Sequence, residues 1–320
     1  MALYRKHQRQ HFPPMKVNRW FSAAAIRLLE GVRAWKGLTR CAGTPLLTLS
    51  LTGVSAMAQV APKGVGNYPD VPNAITNLNL LQVGWYYDWG TVAVGQSSGI
   101  QFVPMIWAHD NVNPRELKAA IATGAGVVLG FNEPDVESQS HMTVAQAIGD
   151  WPQLQATGLR LGSPATGTGD DTRLNGWLAQ FMREIKAHGY RVDFICIHPY
   201  QSDFSVARAV KNLRQEIIHV HDAYHLPIWV TEYGMVDWTN NTYPDAETAA
   251  EFATASASMM KKLAYVERFA WYSLIPNQKT LSLEDSNGTL NVVGLAWAKA
   301  AGGAAKSRSI KRYANQKDKK

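Results

Sequence analysis

Gly126-Val127-Val128-Leu129-Gly130-Phe131-Asn132-Glu133-Pro134-Asp135 is a short apolar run that stops abruptly at Asn-Glu-Pro. A run this short, opened by glycine and closed by proline, reads as a buried strand, because proline cannot donate to a central ladder. A carboxylate fixed at the mouth of a buried strand is costly unless it has a partner or a task. Pro227-Ile228-Trp229-Val230-Thr231-Glu232-Tyr233-Gly234 repeats the arrangement, and Glu232 follows Glu133 by 99 positions.

Outward from these two strands, strand-like and helix-like segments alternate. Residues 81–89, 100–107, 160–165, 192–200 and 266–274 read as strands. Helices are expected over 114–123, 143–157, 175–188, 205–221, 245–262 and 293–305. Asn113 is the expected N-cap of the first, with Pro114 at its first position. Pro152 is expected to interrupt or end the second, and Gly189 to close the third. A hairpin or loop is expected over 281–288. Single helices between strands imply parallel pairing with right-handed crossovers.

An open doubly wound sheet would show the same alternation. Polar and aromatic residues at the carboxyl ends of several strands favour a barrel: Asn132 and Glu133, His198 and Tyr200, Glu232, Trp271 and Tyr272. In a TIM barrel those ends converge on one mouth. Seven strands are legible, and residues 91–95 are expected to hold either a short eighth strand or a distorted turn. The fold class is therefore α/β, a (β/α)8 TIM barrel with an atypical or incomplete first quarter.

Hydrophobic residues make up 46% of the 320 and charged residues 18%, which allows a sizeable core and excludes global disorder. The net charge of +7 is unevenly spread. Residues 1–58 carry nine Lys/Arg against one Glu, and residues 306–320 seven against one Asp. The body between them has sixteen Lys/Arg against twenty-three Asp/Glu, which excludes a nucleic-acid-binding core. The basic start, the apolar stretch from Cys41 to Ser55 and Ala56-Met57-Ala58 read as an export signal cleaved after Ala58, with Met15 a candidate start. Residues 59–305 are then the barrel and 306–320 a basic, disordered tail. The expected location is secreted or periplasmic, with no membrane span and a monomeric state. Cys196 sits in an apolar strand and reads as a buried structural thiol. His-Glu-x-x-His, Walker and dinucleotide motifs are absent from the sequence, so no metal and no cofactor are expected.

Hydrolysing a glycosidic bond takes one protonated carboxyl for the leaving oxygen and one carboxylate on the opposite face of the sugar. Glu133 and Glu232 lie on strands separated by two others. That offset sets them across a narrow barrel from one another. Trp85, Trp107 and Trp271 lie near strand ends as candidates to line a cleft, and Tyr233 adjoins Glu232. Asp88 and His109 are weaker loop candidates, Trp229 is expected in the core, and Asp135 reads as a loop or capping residue.

Together, WYYDWG (85–90), FVPMIW (102–107), LGFNEPD (129–135), FICIHPY (194–200), WVTEYG (229–234) and RFAWYSL (268–274) resemble glycoside hydrolase family 128 over about residues 65–300. These are clan A β-1,3-glucanases, in which the acid/base ends strand four and the nucleophile strand seven. The resemblance implies Glu133 as acid/base and Glu232 as nucleophile of a retaining endo-β-1,3-glucanase acting on β-glucan polysaccharide or oligosaccharide. It implies that Asn132 binds the 2-hydroxyl beside the scissile bond. It also implies that His198 and Tyr200 orient the nucleophile and floor the site, and that Trp271 stacks under the same sugar. The alternatives are a clan A enzyme for xylan, mannan or another β-glucan, and a non-catalytic glucan-binding protein.

Overall fold

The eighth strand precedes all those legible in the sequence. In the structure, a computed structural model describing residues 62–68, 73–93, 99–169 and 171–302, it is β1, Lys63–Asn67. The others are β2 (Trp85–Tyr87), β3 (Gln101–Phe102), β4 (Val127–Val128), β5 (Arg160–Leu161), β6 (Ile195–Ile197), β7 (Ile228–Val230) and β8 (Val266–Leu274). Residues 91 and 92 form a bend, in line with the turn and not the strand expected there, and 94–98 lie outside the described residues. So do the export-signal segment and the basic tail.

Strand β1 is hard to read because it is built from Lys-Gly-Val-Gly-Asn. Its glycines answer to packing: a Cβ at Gly64 would come 2.4 Å from the Trp85 ring, and one at Gly66 would come 2.9 Å from Trp89. Lys63 is fully buried, and its Nζ donates to the carbonyls of Trp297, Ala298 and Ala300 at 2.6, 3.1 and 3.3 Å. Those are carbonyls at the end of the last helix and at its C-cap, beyond the reach of the regular helical bonds.

All the strand pairs are parallel. Hydrogen bonding runs β3-β2-β1-β8-β7-β6 in one series, and β4 pairs with β5 separately. Isolated parallel bridges join the two series: Met105 with Leu129 beyond β3 and β4, and Gly162 with Phe194 between β5 and β6. Leu129 N–H donates to the Pro104 carbonyl at 2.9 Å, and Ser163 N–H to the Phe194 carbonyl at 2.9 Å. The eight strands thus close into a barrel.

The helices are α1 (Ala74–Leu80), α2 (Pro114–Ala122), α3 (Val144–Gln155), α4 (Trp177–His188), α5 (Val206–Tyr224), α6 (Ala246–Met260) and α7 (Val292–Lys299). The first quarter is complete in strands. Its departure from the regular pattern is that no helix lies between β2 and β3 among the described residues. Asn113 caps α2 by accepting from Arg115 and Glu116 N–H, and Gly189 ends α4 at φ 66°. Pro152 does not stop α3, which runs on to Gln155. The lost backbone bond is offset by anchoring on both sides: Trp151 and Leu154 are fully buried, and Trp151 Nε1 donates to the Arg191 carbonyl at 2.9 Å. No helix among the described residues is long and apolar enough to cross a membrane.

Period-two alternation divides the core. Trp85, Tyr87, Val127, Leu129, Phe194, Cys196, Trp229 and Ala270 pack together inside the barrel. Val65, Tyr86, Val128, Ile195, Ile197, Val230, Phe269 and Trp271 point outward and pack with the helices. Trp229 is core as expected, stacked on Phe194 at 4.3 Å, and Cys196 is a buried free thiol whose pKa burial pushes up.

Candidate active site

Alternation carries three side chains to the mouth. Inside β6 come Phe194 and Cys196, so His198 follows on the same face. Trp85 leads to Tyr87 on β2, and Ala270 to Tyr272 on β8. The glutamates arrive differently, because the strands end before them. Glu133 sits at φ 44°, in the left-handed region. Its N–H donates to the Ala165 carbonyl at 2.8 Å, and Asn132 N–H to the Trp107 carbonyl at 3.0 Å.

Glu133, His198 and Glu232 meet there, with 8%, 4% and 4% of their surfaces exposed. One ligating atom from each lies within 4.8 Å of the other two. His198 Nδ1 is 2.9 Å from Glu133 Oε1 and 3.7 Å from Glu232 Oε2. Glu232 accepts from Tyr200 OH at 2.7 Å, Trp89 Nε1 at 2.9 Å and Tyr87 OH at 3.2 Å. His198 Nε2 and Asn132 Oδ1 are buried without a protein partner, while Asn132 Nδ2 donates to Gln139 Oε1 at 3.3 Å.

The environments of the two carboxyls differ. Burial holds the Glu133 carboxyl above the usual range, helped by the charges of Glu232 and Asp135 and opposed by the His198 bond. Burial pushes His198 down, but Glu232, Glu133 and Asp171 outweigh it and raise its pKa. Burial and Glu232 push the Tyr87 and Tyr200 hydroxyls well up, so both stay proton donors. Three donors converge on Glu232, whereas Glu133 shares one histidine. The trio also has metal-ligating spacing, alone in this among the described residues. The nitrogen facing both carboxylates is already hydrogen-bonded to Glu133, as in a proton-holding pair.

Trp107 lies half-buried at this mouth, and Tyr200 adjoins Glu232. Three other candidates lie elsewhere. Trp85 is inside the barrel, too deep for a cleft, with Nε1 donating to the Pro62 carbonyl at 2.9 Å. Trp271 and Tyr233 face the helical shell, their rings 5.3 Å apart. Trp271 is fully buried and donates to the Leu281 carbonyl at 2.9 Å; Tyr233 accepts from Ser256 Oγ at 3.2 Å. Having Ala270 inside puts Trp271 outside and Tyr272 at the mouth. His198 bonds the Glu133 side more closely than the Glu232 side it was expected to orient. His109 is exposed and paired with Asp150 at 2.7 Å, and Asp88 accepts Gly90 N–H at 3.1 Å in the turn that carries Trp89.

Tyr87 and Trp89 are site residues absent from the sequence-based set, and Tyr272 stands in it only as a strand-end aromatic with no role assigned. Period two from Trp85 would have found Tyr87, and period two from Ala270 separates Tyr272 from Trp271. Trp89 gives no such signal, since it reaches Glu232 through a left-handed backbone at φ 59°.

The placement of Trp271 has a measurable consequence. Trp271→Ala is expected to destabilise the fold by about 3–5 kcal/mol, lowering Tm by roughly 10 °C. A tryptophan lining an open cleft would leave Tm nearly unchanged, so thermal unfolding distinguishes the two placements.

Residues 67–297 match the family described as glycosyl hydrolase catalytic core. Over 199 residues the chain is 31% identical to alkali-sensitive linkage protein 1 of Schizosaccharomyces pombe (strain 972 / ATCC 24843), covering 60% of this chain and 34% of that protein. The chain thus spans about a third of that relative. Among solved structures, a family 128 (subgroup I) endo-β-1,3-glucanase variant from Amycolatopsis mediterranei, in complex with laminaripentaose, is 40% identical with a TM-score of 0.71. That match covers 75% of this chain and 100% of the other. A family 128 (subgroup VII) oligosaccharide-binding protein from Trichoderma gamsii, 22% identical with a TM-score of 0.59, shares the fold over 79% of this chain and 95% of its own.

Proposed function

The chain belongs to glycoside hydrolase family 128, and from that premise we propose that it is a retaining endo-β-1,3-glucanase with Glu133 as acid/base and Glu232 as nucleophile. The observation that carries this reading is the pair itself: two buried carboxyls at the ends of β4 and β7, within 4.8 Å, in unequal environments. Retaining enzymes hold their carboxyls about 5–5.5 Å apart, while inverting enzymes leave room for water at about 6.5–9.5 Å.

In the first step a Glu232 oxygen attacks the anomeric carbon as the bond to the glycosidic oxygen breaks. Glu133 passes its proton to that oxygen, and the leaving glucan departs with a hydroxyl. In the second step the Glu133 carboxylate takes a proton from water. The water oxygen displaces Glu232 from the anomeric carbon and restores both groups. Tyr87, Trp89 and Tyr200 hold the Glu232 carboxylate in line for attack. Asn132, with its unpaired Oδ1, is placed to accept a sugar hydroxyl. Trp107, Trp89 and Tyr272 supply flat apolar surface of the kind sugar faces pack against.

Substrate choice rests on the 40% identical relative, an endo-β-1,3-glucanase seen with laminaripentaose. A binding-only reading is favoured by the fold shared with the oligosaccharide-binding protein, and disfavoured by the presence of both glutamates. The test is digestion of laminarin, xylan, mannan and mixed-linkage β-glucan, with products sized over time. The expected result is early release of mid-length oligosaccharides from laminarin. Retention on laminarin with no products would establish the binding-only reading. We also propose that residues 1–58 direct export; the exported protein would then begin at Gln59, which its intact mass reports.

A further inference from the structure

Glu133 holds a backbone conformation that costs a non-glycine residue about 1–3 kcal/mol and persists only where its surroundings over-determine it. Backbone hydrogen bonds supply part of that constraint: Glu133 N–H to the Ala165 carbonyl at 2.8 Å, and Val136 N–H to the Glu133 carbonyl at 3.0 Å. Asp135, two residues on, adds a side-chain tie, because its carboxylate crosses to the β5–α4 loop. Its Oδ1 accepts Gly167 N–H at 2.9 Å, and its Oδ2 accepts Thr168 N–H at 3.1 Å and the Thr168 hydroxyl at 2.5 Å. The segment it grips is the one pressed against the acid/base. A Cβ on Gly167 would lie 2.8 Å from Glu133 Cδ and 2.9 Å from Oε2. Gly167 has no left-handed φ, so close approach alone explains the glycine.

We propose that Asp135 is a positioning residue for the acid/base, holding Gly167 against the back of the Glu133 carboxyl and so fixing the direction in which its proton is presented to the leaving oxygen. This rests on the role given to Glu133 above. An ordinary loop cap would need to grip no particular segment. Here all three bonds go to Gly167 and Thr168, and the space a side chain on Gly167 would need is filled by the reacting carboxyl. Asp135 also acts through charge. The groups setting the Glu133 proton are His198 from β6, Glu232 from beyond β7 and Asp135 from its own loop, the two carboxylates favouring the protonated form and His198 opposing it.

The experiment compares two substrates in kcat/KM, which reports glycosidic cleavage. Laminari-oligosaccharides have a poor leaving group and need the proton; a 2,4-dinitrophenyl β-laminarioside has a good one and does not. Asp135→Ala is expected to lose about 10–100-fold on the oligosaccharides and to stay within about threefold on the dinitrophenyl substrate. Asp135→Asn keeps one acceptor oxygen and should fall between. Its alkaline limb should move to lower pH, because removing a negative charge eases ionisation of Glu133. Gly167→Ala, with Asp135 intact, should give the same leaving-group-selective loss, and carries the test if Asp135→Ala fails to fold. Equal losses on both substrates, or none, would overturn the proposal. Glu133→Gln is the control: if it shows the selective loss and the clamp variants do not, positioning fails while the role of Glu133 stands. If Glu133→Gln itself lacks it, the role of Glu133 fails.

Discussion

Glu232→Gln is expected to lower kcat on β-1,3-glucan by roughly 10⁴-fold or more while the protein stays folded. The carboxylate is the group that forms the bond to the anomeric carbon, and an amide of the same shape cannot. Gln keeps one oxygen to accept from Tyr200, Trp89 or Tyr87, so the cluster loses little packing. Thermal unfolding should show a small change in Tm beside the loss of activity. Glu232→Ala adds a diagnostic of direction. Azide entering the space left by the side chain attacks from the nucleophile's face and yields an α-glucosyl azide from a dinitrophenyl β-laminarioside. A β-azide from this variant, or wild-type turnover by Glu232→Gln, would remove Glu232 from the nucleophile's role.

Glu133→Gln is the second large effect, and its signature differs. On glucan, loss of the proton donor should cost about 10²–10⁴-fold. On a dinitrophenyl glycoside the first step is spared, the glucosyl-enzyme accumulates, and a burst of dinitrophenol precedes slow turnover. Azide, which needs no general base, should then restore turnover and give the β-azide, the opposite anomer to that from Glu232→Ala. The pH dependence follows from the same group. Burial, Glu232 and Asp135 hold the Glu133 proton to higher pH than an ordinary carboxyl, so wild-type kcat/KM on glucan should fall on the alkaline side as that proton is lost. The Gln variant has no such proton, and its profile should lack that limb.

Much of this site was legible where strand chemistry is regular. The apolar runs ending in Glu133 and Glu232 stand out because a carboxylate at the end of a buried strand is costly unless it is paired or reacts. His198 stood out as a polar residue at the carboxyl end of an apolar strand, and it lies on the face of Phe194 and Cys196. Legibility failed where backbone geometry departs from the repeat. Strand β1 has Gly-Val-Gly at its centre because Trp85 and Trp89 press on it, and a strand defined by what its neighbours need carries no propensity signal of its own. Trp89 reaches Glu232 only through a left-handed turn. Trp271 and Tyr272 are adjacent aromatics of which one must face inward. Only their register with Ala270 decides which, and the larger ring proved to be the packing residue. Tyr233 adjoins Glu232 in sequence, but β7 ends at Val230, and past its end the chain turns Tyr233 away from the mouth to pack on Phe252 and Trp297.

The central claim is that Glu232 becomes covalently bonded to the sugar while Glu133 manages the proton. A 2,4-dinitrophenyl 2-deoxy-2-fluoro-β-laminarioside tests it most directly. The fluorine slows both steps, and the leaving group restores the first, so the intermediate accumulates. Mass spectrometry of the intact protein should show one added fluoroglycosyl group, and peptide mapping should place it on Glu232. A label on Glu133 or any other residue, or an unlabelled enzyme releasing the α-anomer, would contradict the mechanism.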